Sequence, residues 1–407
     1  MTTGTSVRTV VVVGASVAGV RTVQALRAEG FDGVVVLVGA EPHLPYDKPP
    51  LSKRVLLQDL DETAIPLCTE AELTSLDVEL RLGTAAVSLS PGSRHVRLAD
   101  GEVLRYDDLV LATGASARPS PWQVRSGVHL LRTWTDAVAL RERLAAGSPL
   151  VVVGGGLIGS EVAAAARARG CAVTIVDPLA LPMARLAGRL IAERYHLLHR
   201  DHGVRTHYGV AVRSVRGEAD QLRVELSDGS VLETATVVVG IGSVPNDAWL
   251  AESGIPLDGG VVCDGHLGVA GVPRVHAVGD VARWPHPRHR RRVRAEHWTN
   301  AVDQGRYVGR TIAGTQDSER YVPSDYVWTD QYDWKLQTIG HVGPDTRSDV
   351  IGSLECERPV AAVVHAAPDG SATGGAAVNW PRALLTMRRL IDRCRPASEV
   401  VDAVHGL

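Results

Sequence analysis

The sequence predicts an α/β fold with two Rossmann-like nucleotide-binding domains and a C-terminal α+β domain, on three observations. Two glycine-rich loops stand 140 residues apart, Gly14-Ala15-Ser16-Val17-Ala18-Gly19 and Gly154-Gly155-Gly156-Leu157-Ile158-Gly159. Each follows a run of valines (Val10 to Val13, Val151 to Val153) and opens an alanine-rich helical stretch, the strand-turn-helix setting in which such a loop cradles a phosphate. From Tyr321 onward the texture changes to short strands.

At 407 residues the chain is too long for one ordinary core, and its length predicts roughly two to three domains. With 45% hydrophobic and 22% charged residues it reads as globular. The longest apolar runs are strand-sized and broken by glycine, too short for a membrane span. The N-terminus passes into a strand without a secretory hydrophobic region, so a cytoplasmic location is expected. The five cysteines, Cys68, Cys171, Cys263, Cys356 and Cys394, lie far apart with no CxxC pair and no metal-cluster spacing; they read as buried thiols. A disulfide reductase would need two close cysteines, and the helical stretch after the first loop, Val20 to Glu29, has none.

In the first loop Ser16 replaces the middle glycine, which narrows the approach of a phosphate without blocking it, because serine is small and can donate a hydrogen bond. Its partner strand, Val34 to Val38, is followed by Gly39-Ala40-Glu41, which makes Glu41 the candidate ribose ligand. Tyr106 to Gly114 reads as a buried strand ending in the small-residue turn Ala112-Thr113-Gly114. The second loop keeps all three glycines: the first for the tight turn, Gly156 for close approach to a pyrophosphate, Gly159 for helix-strand packing. The next strand, Ala172 to Val176, ends in Asp177, 23 residues beyond Gly154, where a carboxylate accepts from ribose hydroxyls and repels a 2'-phosphate. NADH is therefore favoured over NADPH. Arg185 could soften that preference or lie on a solvated helix or loop.

Further on, Ala235 to Gly242 repeats the strand-to-glycine exit, and the two exits suggest crossovers between domains. Val275 to Asp280 is an apolar strand delivering Asp280 at a glycine turn, Gly279. A hairpin is expected with arms Val360 to His365 and Ala372 to Val378, joined through Pro368-Asp369-Gly370, and a closing helix from Pro381.

With these residues in view, the chain resembles the FAD-dependent, NADH-using ferredoxin reductases that serve bacterial oxygenases, nearly end to end. The resemblance runs through the GxSxxG opening, Glu41-Pro42-His43-Leu44-Pro45-Tyr46-Asp47-Lys48-Pro49-Pro50-Leu51-Ser52-Lys53, Ala112-Thr113-Gly114 and Gly154 to Glu161. It continues through Gly279-Asp280, Glu296-His297-Trp298-Thr299-Asn300-Ala301 and Trp328-Thr329-Asp330-Gln331-Tyr332-Asp333. The Pro-Pro-Leu-Ser-Lys and Trp-x-Asp-Gln-Tyr strings are particular to this group; the glycine loops are shared by many flavoproteins.

The resemblance implies a glutathione-reductase-like layout, with an FAD domain in two segments (1-115 and 243-320), an NADH domain between them (116-242) and a C-terminal domain (321-407). It implies hydride transfer from NADH to the flavin and release of single electrons to an iron-sulfur ferredoxin that feeds a cytochrome P-450 or a Rieske-type oxygenase. Asp280 matches the residue that hydrogen-bonds the FAD ribityl chain, a role compatible with capping the next helix. The chain has only three lysines, Lys48, Lys53 and Lys335, among 43 basic side chains. By resemblance Lys53 pairs with Glu161 beside the nicotinamide pocket; the bland alternative is a surface lysine and a glutamate near a helix start. The family's pattern places Gly14, Ser16, Ala18, Gly19, Glu41, Lys48, Lys53, Ala112, Thr113, Gly114, Gly242, Gly279, Asp280, Glu296, His297, Trp298 and Trp328 at the flavin nucleotide, and Gly154, Gly156, Ile158, Gly159 and Asp177 at NADH. Trp298 and Trp328 are otherwise core packing.

Between Val281 and Ala295 lie six arginines (Arg283, Arg288, Arg290, Arg291, Arg292, Arg294) and no acid, in a chain of net charge -3. They form either a solvated loop or a basic rim that steers an acidic ferredoxin, which would dock near Arg288, Arg290, Arg291, Arg292 and Arg294; no nucleic-acid motif accompanies them. Two other readings share the architecture: an NADH-sensing protein of the apoptosis-inducing-factor type, and an NADH oxidase or peroxidase. The second relies on a redox-active cysteine in the first domain, where this chain has only Cys68, outside the expected helix.

Overall fold

A computed structural model describes residues 7–316, 318–343, 345–356 and 358–407, so the first few residues, on which the reading of the N-terminus partly rests, lie outside it. The chain divides into two compact units, Met1–Asp47 with Asp61–Ser116 and Ser243–Pro323, and Lys48–Leu60 with Ala117–Gly242 and Ser324–Leu407.

The first unit is built on a five-stranded parallel sheet in the order Val275–Ala277, Asp108–Leu111, Thr9–Val13, Val34–Gly39, Glu79–Leu82. Its central strands are unbroken apolar runs because both faces are covered, and Val10, Val11, Val12, Leu109, Val110 and Leu111 are fully buried. Helix Val17–Ala28 lies against helix Trp298–Ala313. Glycine is needed at that crossing: a Cβ on Gly305 would sit 2.5 Å from the Ala18 carbonyl oxygen, and one on Gly309 2.6 Å from Ala25 Cβ.

The second unit repeats the motif. Its parallel sheet runs Arg205–Tyr208, Val173–Asp177, Leu150–Val153, Thr236–Val239, Val128–His129, with helix Leu157–Ala168 following the central strand. A second, antiparallel sheet has the order Val327–Gln331, Trp334–Gly340, Ala372–Val378, Val360–Ala366, Arg347–Ser353. Helices Pro381–Ile391 and Ala397–His405 pack on it through Leu384, Met387, Val400 and Val404. Helix Ala184–Asp201 joins the same sheet through Ile191, Tyr195 and Leu198, which meet Trp334, Leu336 and Val363.

The fold class and the hairpin agree with expectation, and Arg185 is exposed on helix Ala184–Asp201. Two details differ. Cys68, Cys171 and Cys263 are buried as expected, but Cys356 and Cys394 are exposed. Both sit in short irregular turns, Cys394 with φ 53, that leave the thiol facing solvent. The helix Ala397–His405 was not expected; it follows Pro396 within a few residues of the preceding helix and buries Val400 and Val404 one turn apart.

Candidate functional site

The glycine loops are shaped by backbone contacts that no side chain could share. In the first, Gly14 has φ +123, and a Cβ there would lie 2.1 Å from the Ala112 carbonyl oxygen; a Cβ on Gly19 would lie 1.9 Å from the Gly14 oxygen. The second loop has the same pair of contacts, Gly154 (φ +106) at 2.3 Å from the Gly240 oxygen and Gly159 at 1.9 Å from the Gly154 oxygen. Only the middle position differs. A Cβ on Gly156 would meet nothing within 4 Å, so this glycine is required by no protein neighbour, as expected where a ligand approaches the backbone.

The helices behind the loops are left open at their positive ends. Ser16 and Gly156 are the N-cap residues of Val17–Ala28 and Leu157–Ala168; neither makes a side-chain cap bond, and neither helix has an acid in its first turn. Two helices elsewhere show the alternative: Glu70–Ser75 and Trp134–Ala145 are closed by capping boxes from Thr69 with Glu72 and Thr133 with Asp136. Open N–H groups beside glycine suit a pyrophosphate. The residues present therefore fit a dinucleotide at each loop, and the exposed Ile158 leaves an apolar surface at the second.

Both candidate ribose acids are held by their own surroundings. Asp177, nearly buried at the end of its strand, accepts from the Gly155 N–H at 2.6 Å and the Leu179 N–H at 2.7 Å. Glu41 accepts from the Tyr46 hydroxyl at 2.5 Å. A carboxylate offers about four acceptor positions, so Asp177 keeps capacity for a ribose hydroxyl. Tyr208 packs beneath the second loop, close to Gly155 and Asp177, where burial and the Asp177 charge push its phenol well above the usual range.

In the first unit, Asn246 clasps the Ala112-Thr113-Gly114 turn: its Nδ2 donates to the Thr113 oxygen at 2.8 Å, and Thr113 Oγ1 donates back to the Asn246 oxygen at 2.8 Å. Gly279, at the turn carrying the nearly buried Asp280, donates its N–H to Gln304 Oε1 at 2.7 Å, which fixes that turn on helix Trp298–Ala313. Trp298 Nε1 donates to Asp47 Oδ1 at 2.7 Å, and Glu296 is bonded by Ser243 and Arg294. In the second unit, Gly242 holds φ 102 and accepts from the Arg118 N–H.

In the second unit, Lys53 Nζ lies 2.9 Å from Glu161 Oε1, with the glutamate side chain 3% exposed and the lysine 20%. Lys53 is not a surface lysine, and Glu161 is in the second turn of its helix, facing inward. Ser52 and Thr329 also donate to this carboxylate. Lys48 Nζ donates to the Arg132 oxygen at 3.3 Å, and Trp328 stacks on Tyr326 at 5.9 Å between centroids.

The arginine run forms an antiparallel hairpin, Ala282–His286 with Arg291–Val293, in place of a loop. Arg283, Arg288 and Arg294 are tied to Asp258, the Pro323 oxygen and Glu296. Arg290, Arg291 and Arg292 are exposed at its tip and outer strand. All five cysteines are free thiols; burial raises Cys68, Cys171 and Cys263, the last to about 12, which leaves them unreactive.

Residues 8–305 match the family described as pyridine nucleotide-disulphide oxidoreductase, and residues 326–403 match the family described as reductase C-terminal. The rhodocoxin reductase of Rhodococcus erythropolis is 38% identical over 350 residues, 85% of this chain and 81% of that protein. The ferredoxin–NAD(+) reductase component of the anthranilate 1,2-dioxygenase system of Burkholderia cepacia is 37% identical over 383 residues, 94% of this chain and 93% of its own. The chain belongs to the family of FAD-dependent, NADH-using ferredoxin reductases. A solved ferredoxin reductase from Rhodopseudomonas palustris superposes with a TM-score of 0.92 at 32% identity, covering 98% of each chain. As a ferredoxin reductase it is a flavoprotein oxidoreductase with FAD and NAD(H) as cofactors.

Around the expected residues of this reductase, Asn246 and Gln304 carried no sequence signal, and Asp47, Ser52, Thr329 and Gln331 stood in strings of the resemblance without a role of their own. Apart from Gln331, which bonds Thr329 two residues away, each is a polar residue whose partner lies far away in the chain, 25 residues for Gln304 with Gly279 and 168 for Thr329 with Glu161.

Proposed function

We propose that this ferredoxin reductase takes electrons from NADH and passes them singly to an acidic iron-sulfur ferredoxin, which feeds a cytochrome P-450 or a Rieske-type oxygenase. The observation that carries the reading is two open glycine-loop helices in one chain, each suited to the pyrophosphate of a dinucleotide. Bound FAD supplies hydride acceptance and one-electron release.

The rest is binding and orientation by the chain. Gly14, Ser16, Ala18 and Gly19 direct backbone N–H groups at the FAD pyrophosphate, and Glu41 accepts from its ribose. Ala112, Thr113, Gly114, Gly242, Gly279, Asp280, Glu296 and His297 line the remainder of the flavin nucleotide, with Lys48. Trp298 and Trp328 exclude water from the ring. Gly154, Gly156, Ile158, Gly159 and Asp177 hold the adenosine diphosphate half of NADH. Lys53 and Glu161, paired with each other, order its nicotinamide end. The domain boundaries follow the same division, with FAD on 1-115 and 243-320, NADH on 116-242 and a C-terminal domain over 321-407.

Arg290, Arg291 and Arg292, joined by Arg288 and Arg294, attract the acidic partner. Relatives that are the reductase components of anthranilate and p-cumate dioxygenase systems support the oxygenase assignment. Among the described residues no helix is long and apolar enough to cross a membrane, and the reading places the protein in the cytoplasm, where NADH is supplied.

Anaerobic stopped-flow mixing with NADH, followed by an oxidised two-iron ferredoxin, tests the reading. Rapid flavin bleaching and then ferredoxin reduction is expected. A flavin that bleaches and leaves every acidic ferredoxin oxidised would favour the NADH-sensing alternative.

A further inference from the structure

Glu161 is held by donors from separate stretches of chain. Lys53 Nζ at 2.9 Å and Thr329 Oγ1 at 2.6 Å meet Oε1, and Ser52 Oγ meets Oε2. Thr329 in turn accepts from Gln331 Nε2 at 3.1 Å. A hydroxyl has one proton to give and a carboxylate can only accept, so Thr329 donates that proton to Glu161 and takes the amide N–H on a lone pair. The Gln331 amide is itself oriented. Its Nε2 also faces Met183 Sδ at 3.6 Å, and the flipped amide would set a carbonyl oxygen against both sulfur and hydroxyl acceptors.

Thr329 and Gln331 are two apart on strand Val327–Gln331, so their side chains share the inner face while Asp330 between them points to solvent. Thr329 is 0% exposed, Gln331 1% and Ser52 1%, and no water competes for these bonds. Three of about four acceptor positions on the carboxylate are occupied, which fixes its plane and leaves one, on Oε2, for a ligand N–H. On NADH the carboxamide of the nicotinamide is the donor of that kind.

We propose that Thr329 and Gln331 are positioning residues that set the direction of the Glu161 carboxylate and thereby select the nicotinamide end of NADH, an inference that rests on the reading of Lys53 and Glu161 above. The C-terminal sheet thus contributes to cofactor recognition through a hydrogen-bond relay that never touches the cofactor.

The test is calorimetric titration of the oxidised holoprotein with two probes, a tetrahydro analogue of NADH that cannot give up hydride, and ADP-ribose, which lacks the nicotinamide. Thr329→Val and Gln331→Leu should each weaken the analogue at least fivefold and leave ADP-ribose within twofold of the parent protein, and Thr329→Ser should restore the analogue. The same titrations on Glu161→Gln separate the two claims. If Glu161→Gln loses the analogue while Thr329→Val and Gln331→Leu do not, the relay is overturned and the role of Glu161 stands. If Glu161→Gln binds both probes as the parent does, the role of Glu161 fails and the relay with it. Equal loss of both probes in Thr329→Val, or a loss that serine does not restore, would make Thr329 a packing residue and overturn the proposal.

Discussion

Asp177→Asn separates the two tasks that fall on one carboxylate. Asp177 is 9% exposed, its Oδ2 accepts from Gly155 N–H at 2.6 Å and its Oδ1 from Leu179 N–H at 2.7 Å. Asparagine keeps the shape but turns one oxygen into an amide nitrogen that faces an N–H, and losing a hydrogen bond to a charged group costs about 1.5–3 kcal/mol. The loop should therefore loosen and thermal stability should fall without unfolding the domain, since stabilities run to about 5–15 kcal/mol. For the ligand, the ribose hydroxyls lose a charged acceptor of similar worth, which is about a tenfold loss in NADH affinity for each 1.4 kcal/mol. Loss of the negative charge also removes the repulsion of a 2'-phosphate. The ratio of kcat/KM for NADH over NADPH, measured with an artificial one-electron acceptor, should fall at least tenfold. A ratio within twofold of the parent protein, alongside the lower stability, would show that Asp177 only braces the loop and would refute its role in cofactor choice.

Removing Glu161 alone as leucine leaves Lys53 without its partner and should destabilise the protein by about 3–5 kcal/mol, at the lower end because Lys53 is partly exposed. The double variant Lys53→Met with Glu161→Leu should recover most of that loss in thermal unfolding, yet remain slow in flavin reduction by NADH. Burial holds His199 and His365 down to about 4, well below the usual 6.5 or so. The unfolded chain then binds more protons than the folded one below that value, so stability is full above about pH 6.5 and falls toward pH 4, by on the order of 3 kcal/mol for each histidine. Neighbouring His196 and His202, and His341 beside His365, act in the same direction. Urea unfolding midpoints that stay level between pH 7.5 and 5 would contradict this. Reversing Arg290, Arg291 and Arg292 to glutamate should raise the KM for ferredoxin roughly tenfold or more at low salt and leave flavin reduction by NADH unchanged. The difference should shrink as salt brings the screening length to about 10 Å or less.

Local chemistry was legible wherever it is written in consecutive residues. Glycine at 14, 19, 154 and 159 is demanded by backbone oxygens within the same turn or in the adjoining strand, and the valine runs preceding them have the unbroken apolar character of strands covered on both faces. Asp177 was visible because a strand of known direction must deliver its last residue beside the loop. The pairing of Lys53 with Glu161 could be reached only through resemblance, since 108 residues separate them and nothing in either neighbourhood names the other. The exposure of Cys356 and Cys394 departs from the expectation because burial depends on what covers a turn, and composition carries no such information.

What the sequence determined by itself is the repeated strand-turn-helix unit, its two glycine-rich loops and an acid after each neighbouring strand, because these depend on contacts within a few tens of residues and on backbone geometry that only glycine allows. Tertiary structure alone decided how that equipment is held in place. It converted an arginine run into a hairpin that ties down Arg283, Arg288 and Arg294 and leaves Arg290, Arg291 and Arg292 facing solvent. It also surrounded Glu161 with Ser52, Lys53 and Thr329, and placed Gln331 behind them. The physical reason is the same in both cases. A hydrogen bond or ion pair between distant residues is specified by the packing of whole elements, and the side chains that make it look, in sequence, like any other polar residues.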